Sequence, residues 1–179
     1  MNAKTLIGPA TNRHSRPQQL TLPPRSVITL FTRDEIPLFK FSVFNHMLLQ
    51  SVQFNVRRKL IKVYGWTILP TSVHLILRSD ETGRFVNSLK NYTSEKIIEY
   101  LQHYHPQKVS LFNGGGIRAS VWNQTFDQRD AELFGTYRRE LKYLHFLPVE
   151  KKLVQSPLEY PWSSARDRLE NRGLVWLSG

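Results

Sequence analysis

Residues Ser72-Val73-His74-Leu75-Ile76-Leu77-Arg78 (SVHLILR) decide the fold. Successive side chains of a β-strand point to opposite faces. Val73, Leu75 and Leu77 therefore form one apolar row, suited to a core. Ser72, His74, Ile76 and Arg78 form the other, which places His74 mid-sheet on the second face. Just before this run, residues 61–69 (IKVYGWTIL) read as a second strand. The intervening Pro70-Thr71 leaves room only for an antiparallel hairpin. Further out, residues 26–33 (SVITLFTR) are rich in β-branched side chains and form a third strand. Between them Phe44, Leu48, Val52, Val56 and Leu60 recur every four positions across residues 41–60. That is one stripe of a helix, ending in the basic cluster Arg57-Arg58-Lys59. Residues 81–104 repeat the pattern, with Phe85, Leu89, Ile97 and Leu101 on one side.

Beyond the second helix, residues 105–118 contain Pro106 and Gly114-Gly115-Gly116 and read as a mobile loop. Residues 118–126 (RASVWNQTF) are the last strand candidate. Asp130 can cap a third helix that runs to Leu147, where Pro148 limits it. Its apolar stripe is Leu133, Tyr137, Leu141 and Leu144. Residues 150–154 add a turn, and residues 156–169 form a packed segment around Tyr160 and Trp162. The order is β-α-β-β-α-β-α. Its first six elements match an α+β, ferredoxin-like split βαβ unit: a four-stranded antiparallel sheet with two helices on one face. The other face is left for a third helix, a ligand or nucleic acid. In domain terms, residues 1–24 are a flexible basic arm, 25–170 a single domain and 171–179 a C-terminal tail.

Charge narrows the partner. Lys and Arg total 25 against 14 Asp and Glu, a net charge of +11. The excess is uneven: residues 1–62 carry ten positive and two negative side chains, the remainder fifteen and twelve. A chain this basic most often has a polyanionic partner, usually nucleic acid. Arg13, Arg16 and Arg25 on the arm, and Arg57, Arg58, Lys59 and Lys62 after the first helix, can reach phosphates, contacts that position without specifying sequence. There is no cysteine, which excludes a disulfide scaffold, a Cys-ligated zinc, an iron–sulfur cluster and a thiol nucleophile. With no apolar run near the roughly 18 residues of a membrane span and no signal-like N-terminus, the chain reads as cytoplasmic, with no membrane partner.

Two side chains stand out for chemistry. His74, taken alone, reads better as a hydrogen-bonded structural histidine than as a chemical group; His103 and His105, beside the loop, are weaker candidates. Tyr143 lies about 100–120° from the third helix's apolar stripe, on a second face with Arg139 and Leu147. A tyrosine beside arginines can serve as a nucleophile, because nearby cations lower the phenol pKa and steady a phosphate. It reads equally as a surface aromatic, and Tyr92 on the second helix competes with it.

Six ordered stretches resemble one family, the REP-associated tyrosine transposases, single-tyrosine transposases of the HUH class. Residues 64–77 (YGWTILPTSVHLIL) resemble the pattern Y-x-x-M-P-N-H-V-H-L-L. Residues 26–39 (SVITLFTRDEIPLF) are similar to the family's first strand and turn. Residues 85–98 (FVNSLKNYTSEKII) resemble F-x-x-S-x-K-x-Y-T-x-x-x-I, and residues 121–129 (VWNQTFDQR) resemble V-W-Q-x-x-F-x-D-R. Residues 143–154 resemble Y-I-x-x-N-P-V-K-A-G-L-V, and residues 156–166 (SPLEYPWSSAR) resemble the closing P-x-x-Y-P-W-S-S-A.

The resemblance implies a mechanism. Two histidines one residue apart on a strand bind a divalent metal, Mg²⁺ or Mn²⁺, which polarises a scissile phosphate of single-stranded or hairpin DNA. A helix tyrosine, falling on Tyr143, attacks it and leaves a 5′-phosphotyrosine and a free 3′-hydroxyl. A polar residue four positions later assists the metal. In this chain His74 keeps one metal position, Ser72 stands at the other, and Leu147 replaces the polar residue. Three readings follow: a DNA-transposition enzyme, a descendant that only binds DNA hairpins, and, more distantly, an RNA-binding sheet with stacking aromatics. Some relatives exchange tyrosine helices, so a homodimer is a further expectation.

Overall fold

The computed structural model describes residues 22–112, 119–167 and 177. The arm carrying Arg13 and Arg16, the Gly114–Gly116 run and most of the C-terminal tail lie outside the described residues. The ordered elements are β1 (Ser26–Phe31), α1 (Ser42–Arg57), β2 (Lys62–Leu69), β3 (Ser72–Arg78), α2 (Thr82–Tyr104), β4 (Asp127–Asp130) and α3 (Phe134–Glu150), with short 3-10 turns between them. The strands form one antiparallel sheet in the order β2-β3-β1-β4. That is the split βαβ arrangement, with α1 and α2 on one face.

Alternation along β3 divides the molecule as expected. Val73, Leu75 and Leu77 face the main core with Leu48, Val52, Phe85, Leu89, Ile97 and Leu101 of the two helices. On the other face Ile76 packs with Val27, Tyr64, Ala131, Tyr137 and Leu144, so α3 covers the side left vacant by the first two helices. Its approach is close. A Cβ built on Gly65 of β2 would lie 2.5 Å from Leu141 Cδ1, so the missing side chain is what lets the helix seat on the sheet.

The free edge of β2 is closed by the last motif. Ile68 N–H donates to the Trp162 carbonyl at 2.8 Å, and Ser164 N–H to the Trp66 carbonyl at 2.9 Å. Trp66 N–H donates in turn to Ser164 Oγ at 2.9 Å. The Tyr160 hydroxyl donates to the Ile68 carbonyl at 2.8 Å, and burial pushes its pKa up to about 12. The Tyr-Pro-Trp-Ser-Ser-Ala run is thus an edge cover that satisfies backbone groups which would otherwise template pairing with another chain.

Several expectations are corrected. The last strand is not 118–126 but Asp127–Asp130, all four residues exposed. Trp122 still makes an isolated bridge to Thr32, and the ladder resumes at Thr29 and Asp127. Five residue steps on this segment thus match three on β1, so two extra residues bulge out. The cause is Lys90. Its buried ammonium donates to the carbonyls of Asn123, Gln124 and Thr125 at 2.8, 3.0 and 2.9 Å, gathering three acceptors that a straight strand would point to alternating sides. The aromatic and β-branched content read as a strand serves burial instead: Val121 and Trp122 are core residues.

The third helix also shifts. Asp130 does not cap it; Asp130 Oδ1 accepts from Glu132 N–H at 2.7 Å, and Leu133 is the N-cap, 75% exposed rather than part of the stripe. Pro148 does not end the helix, which runs to Glu150. Proline cannot donate to the carbonyl four residues back, and that carbonyl, on Leu144, accepts instead from the Thr67 hydroxyl at 3.0 Å. At the end of α1, Leu60 lies outside the helix and is exposed. The expected loop after α2 begins as a 3-10 segment, Pro106–Phe112.

Candidate nucleic-acid interface

Strand register places the candidate residues. Thr67 of β2, His74 of β3, Thr29 of β1 and Asp127 of β4 are successive partners across the sheet. Register partners share a face, and the Thr67–Leu144 contact identifies it as the α3 face. His74 therefore projects to the side on which the tyrosine-bearing helix lies. Tyr143 is the residue next to Leu144 and is 45% exposed. Tyr92 is exposed on α2, and His103 and His105 lie at that helix's end, in the layer behind the sheet.

Both ring nitrogens of His74 are engaged. Nδ1 lies 3.2 Å from Thr29 Oγ1 and Nε2 lies 3.0 Å from Ser72 Oγ. In either neutral tautomer one hydroxyl accepts and the other donates, so the chain Thr29–His74–Ser72 is complete. Burial first, then the positive charges of Arg129 and Lys151, lowers the imidazole pKa to about 4. Thr29 and Arg129 escaped the sequence reading, as did Lys151: Thr29 is 45 residues from His74 in sequence, and only β1–β3 pairing unites them.

This shift has a measurable consequence. Between the ordinary imidazole value of about 6.5 and the folded value of about 4, the unfolded chain binds more protons than the folded one. Stability therefore falls as pH drops through that window and levels off below it. The His74 contribution is on the order of 3 kcal/mol. Urea midpoints at pH 7 and pH 4.5 are expected to converge between the native chain and His74→Gln as pH falls. Parallel profiles would contradict the assignment.

The two altered metal positions are structurally committed. Leu147 is buried with Leu69 and Tyr160, so the helix position one turn after Tyr143 is packed into an apolar cluster. Ser72 is buried and holds His74. Among the described residues no three His, Cys, Asp or Glu side chains converge as a metal site. Asp127 stands two strands from His74, about 10 Å between backbones by strand spacing, and is exposed on the edge strand. The donor set does not fit a resident divalent ion.

The basic candidates divide. Arg25 is not part of a free arm. Its guanidinium lies 5.0 Å from the Tyr64 ring centroid and 4.8 Å from that of Tyr137, and its backbone N–H donates to Glu132 Oε2 at 2.8 Å. Glu132 also pairs with Arg78 at 2.6 Å. Arg25 thus secures the start of β1 to the lead into α3. Arg57, Arg58, Lys59 and Lys62 are exposed where α1 turns into β2, at the opposite end of β3 from Ser72; the Arg58 guanidinium sits over the Phe54 ring. Arg139 is exposed on α3, one turn before Tyr143. Among the described residues the basic candidates are therefore not gathered around His74; the charges that act on it come from Arg129 and Lys151.

The remaining matched motifs build the scaffold. Trp122 Nε1–H donates to Thr93 Oγ1 at 2.8 Å, joining the V-W-Q-like stretch to the K-x-Y-T-like helix, and Lys90 holds the bulge.

No protein-family model matches the chain, and no curated protein matches it in sequence. Among solved structures, it resembles a REP-associated tyrosine transposase bound to a REP hairpin, with TM-score 0.63 and 16% identity over 89% of this chain and 88% of that one. A transposase candidate from Deinococcus radiodurans aligns with TM-score 0.48 and 14% identity over 72% of this chain and 93% of that one. The fold is transposase-like: an α+β, four-stranded antiparallel sheet of the kind seen in the first of these structures. None of the described helices is long and apolar enough to cross a membrane.

Proposed function

We propose that this chain is a transposase-like protein that binds structured single-stranded DNA, a hairpin with a single-stranded flank, on the sheet face that carries His74 and α3. The observation that carries this reading is the placement of a tyrosine-bearing helix over a histidine-bearing central strand, in a chain of net charge +11. The hairpin-bound neighbour of the same architecture supports it. By the family resemblance, Tyr143 is the residue that would attack a scissile phosphate, forming a 5′-phosphotyrosine and releasing a 3′-hydroxyl.

A second reading, a descendant that binds hairpins without efficient cutting, is favoured by two observations: Leu147 is packed into an apolar cluster, and His74 is closed between two hydroxyls. A phenol is a weak nucleophile without a divalent ion to offset the charge of the phosphate it attacks. Labelled hairpin DNA incubated with the chain and Mn²⁺, then run on a denaturing gel, is expected to give retention without a strong covalent adduct. A strong adduct that disappears in Tyr143→Phe would establish cutting and overturn the second reading. Failure to retain the hairpin at low salt would overturn both.

A further inference from the structure

We infer that the His74 face holds a backbone phosphate directly, through cations, with no divalent ion between. This rests on the DNA-binding reading above and departs from the metal chemistry that the resemblance implies.

Three observations carry it. First, the imidazole of the central strand has both nitrogens in hydrogen bonds, at 3.2 Å to Thr29 and 3.0 Å to Ser72. A metal would have to displace one hydroxyl and would gain a single nitrogen ligand, whereas Mg²⁺ and Mn²⁺ sites rest on carboxylates. Second, the helix position that would complete the set is Leu147, buried against Leu69 and Tyr160. A cation there would face methyl groups. Third, the charges acting on His74 are positive, from Arg129 and Lys151, so the face repels a second cation and attracts an anion.

The acids nearby do not reverse that sign. Glu140 is engaged by Arg129 at 3.3 Å. Asp127 is exposed on the edge strand, at the far end of the register row. Lys151 is exposed at the C-terminal end of α3, free to swing to a phosphate oxygen. The Arg129 side chain is 56% exposed and its contact with Glu140 is long, so an incoming phosphate can compete for the guanidinium. Such a site takes a phosphodiester by charge and needs no free imidazole. The Thr29–His74–Ser72 chain then acts as a neutral polar floor, kept neutral first by burial and then by the positive charges of Arg129 and Lys151.

Two measurements test this on the full chain. In the first, the electron paramagnetic resonance signal of free Mn²⁺ is followed as protein is added. The signal is expected to stay undiminished; stoichiometric loss of signal that is restored in His74→Gln would overturn the inference. In the second, hairpin affinity is measured by fluorescence anisotropy in EDTA and in Mn²⁺. The two affinities are expected to agree. Lys151→Glu is expected to weaken binding on the order of tenfold and to lower the salt slope by about 1. Lys96→Gln, on α2 behind the sheet, is expected to leave affinity unchanged. Binding that requires Mn²⁺, or that ignores Lys151→Glu, overturns the inference while the DNA-binding reading stands. Absence of any hairpin binding by the native chain overturns that reading, and the phosphate site with it.

Discussion

Raising monovalent salt from about 50 to about 200 mM is expected to weaken the complex with hairpin DNA roughly 300-fold. Lys and Arg side chains that neutralise phosphates release condensed counterions, and for single strands log affinity falls with log salt at about −0.7 per phosphate. Roughly six neutralised phosphates give a slope near −4. The charge is available: ten of the 25 basic residues lie within residues 1–62, against two acids. Deleting residues 1–21, which carry Lys4, Arg13 and Arg16, is expected to make the slope shallower. The deletion spares Arg25, whose contacts with Tyr64, Tyr137 and Glu132 make it part of the folded body. Anisotropy titrations at four or five salt concentrations read both slopes. A flat response would remove the electrostatic basis of the proposed function.

Trp122→Ala is expected to destabilise the chain by about 4 kcal/mol, near the top of what single core truncations cost. The indole is 1% exposed, its ring centroid lies 5.3 Å from that of Phe39, and its N–H donates to Thr93. Truncation opens a cavity between the sheet and α2 and leaves the Thr93 hydroxyl without that donor. The neighbouring Lys90 clamp then loses its fixed target. Urea unfolding with an unchanged m-value and a lowered midpoint would report the loss. A cost below about 1 kcal/mol, ordinary for a surface site, would contradict the placement of residues 121–122 in the core.

Trp122 also shows where the sequence was legible and where it was not. Helix and strand periods reveal elements whose two faces differ. The apolar row of β3 and the stripes of α1 and α2 satisfy that condition, so Val73, Leu75, Leu77, Phe85 and Leu101 were placed correctly from spacing alone. β4 does not satisfy it. Asp127-Gln128-Arg129-Asp130 is polar at every position because it is an exposed edge, and only its pairing with β1 makes it a strand. The residues just before it look like a strand because core burial and strand propensity favour the same side chains. The course of α3 past Pro148 was hidden for a related reason. The hydroxyl that takes the freed Leu144 carbonyl comes from Thr67, 77 residues away.

The candidate site divides in the same way. Alternation within SVHLILR located His74 on the correct face, and the helical offset kept Tyr143 off the buried stripe. What closes around His74 is tertiary. Thr29 arrives through β1–β3 register, Arg129 through the edge strand, and Lys151 through a helix longer than its proline suggested. Leu147 was legible as a departure from the resembled pattern but not as a core residue, because its partners Leu69 and Tyr160 lie on β2 and in the edge cover.

Photo-crosslinking of a labelled hairpin to the full chain at low salt, with adducts mapped by mass spectrometry, tests the central claim most directly. Adducts on α3 and β4, including peptides that contain Tyr143, Lys151 and Arg129, are the predicted result. Adducts confined to α1 and α2 behind the sheet, or no adducts at all, would contradict it.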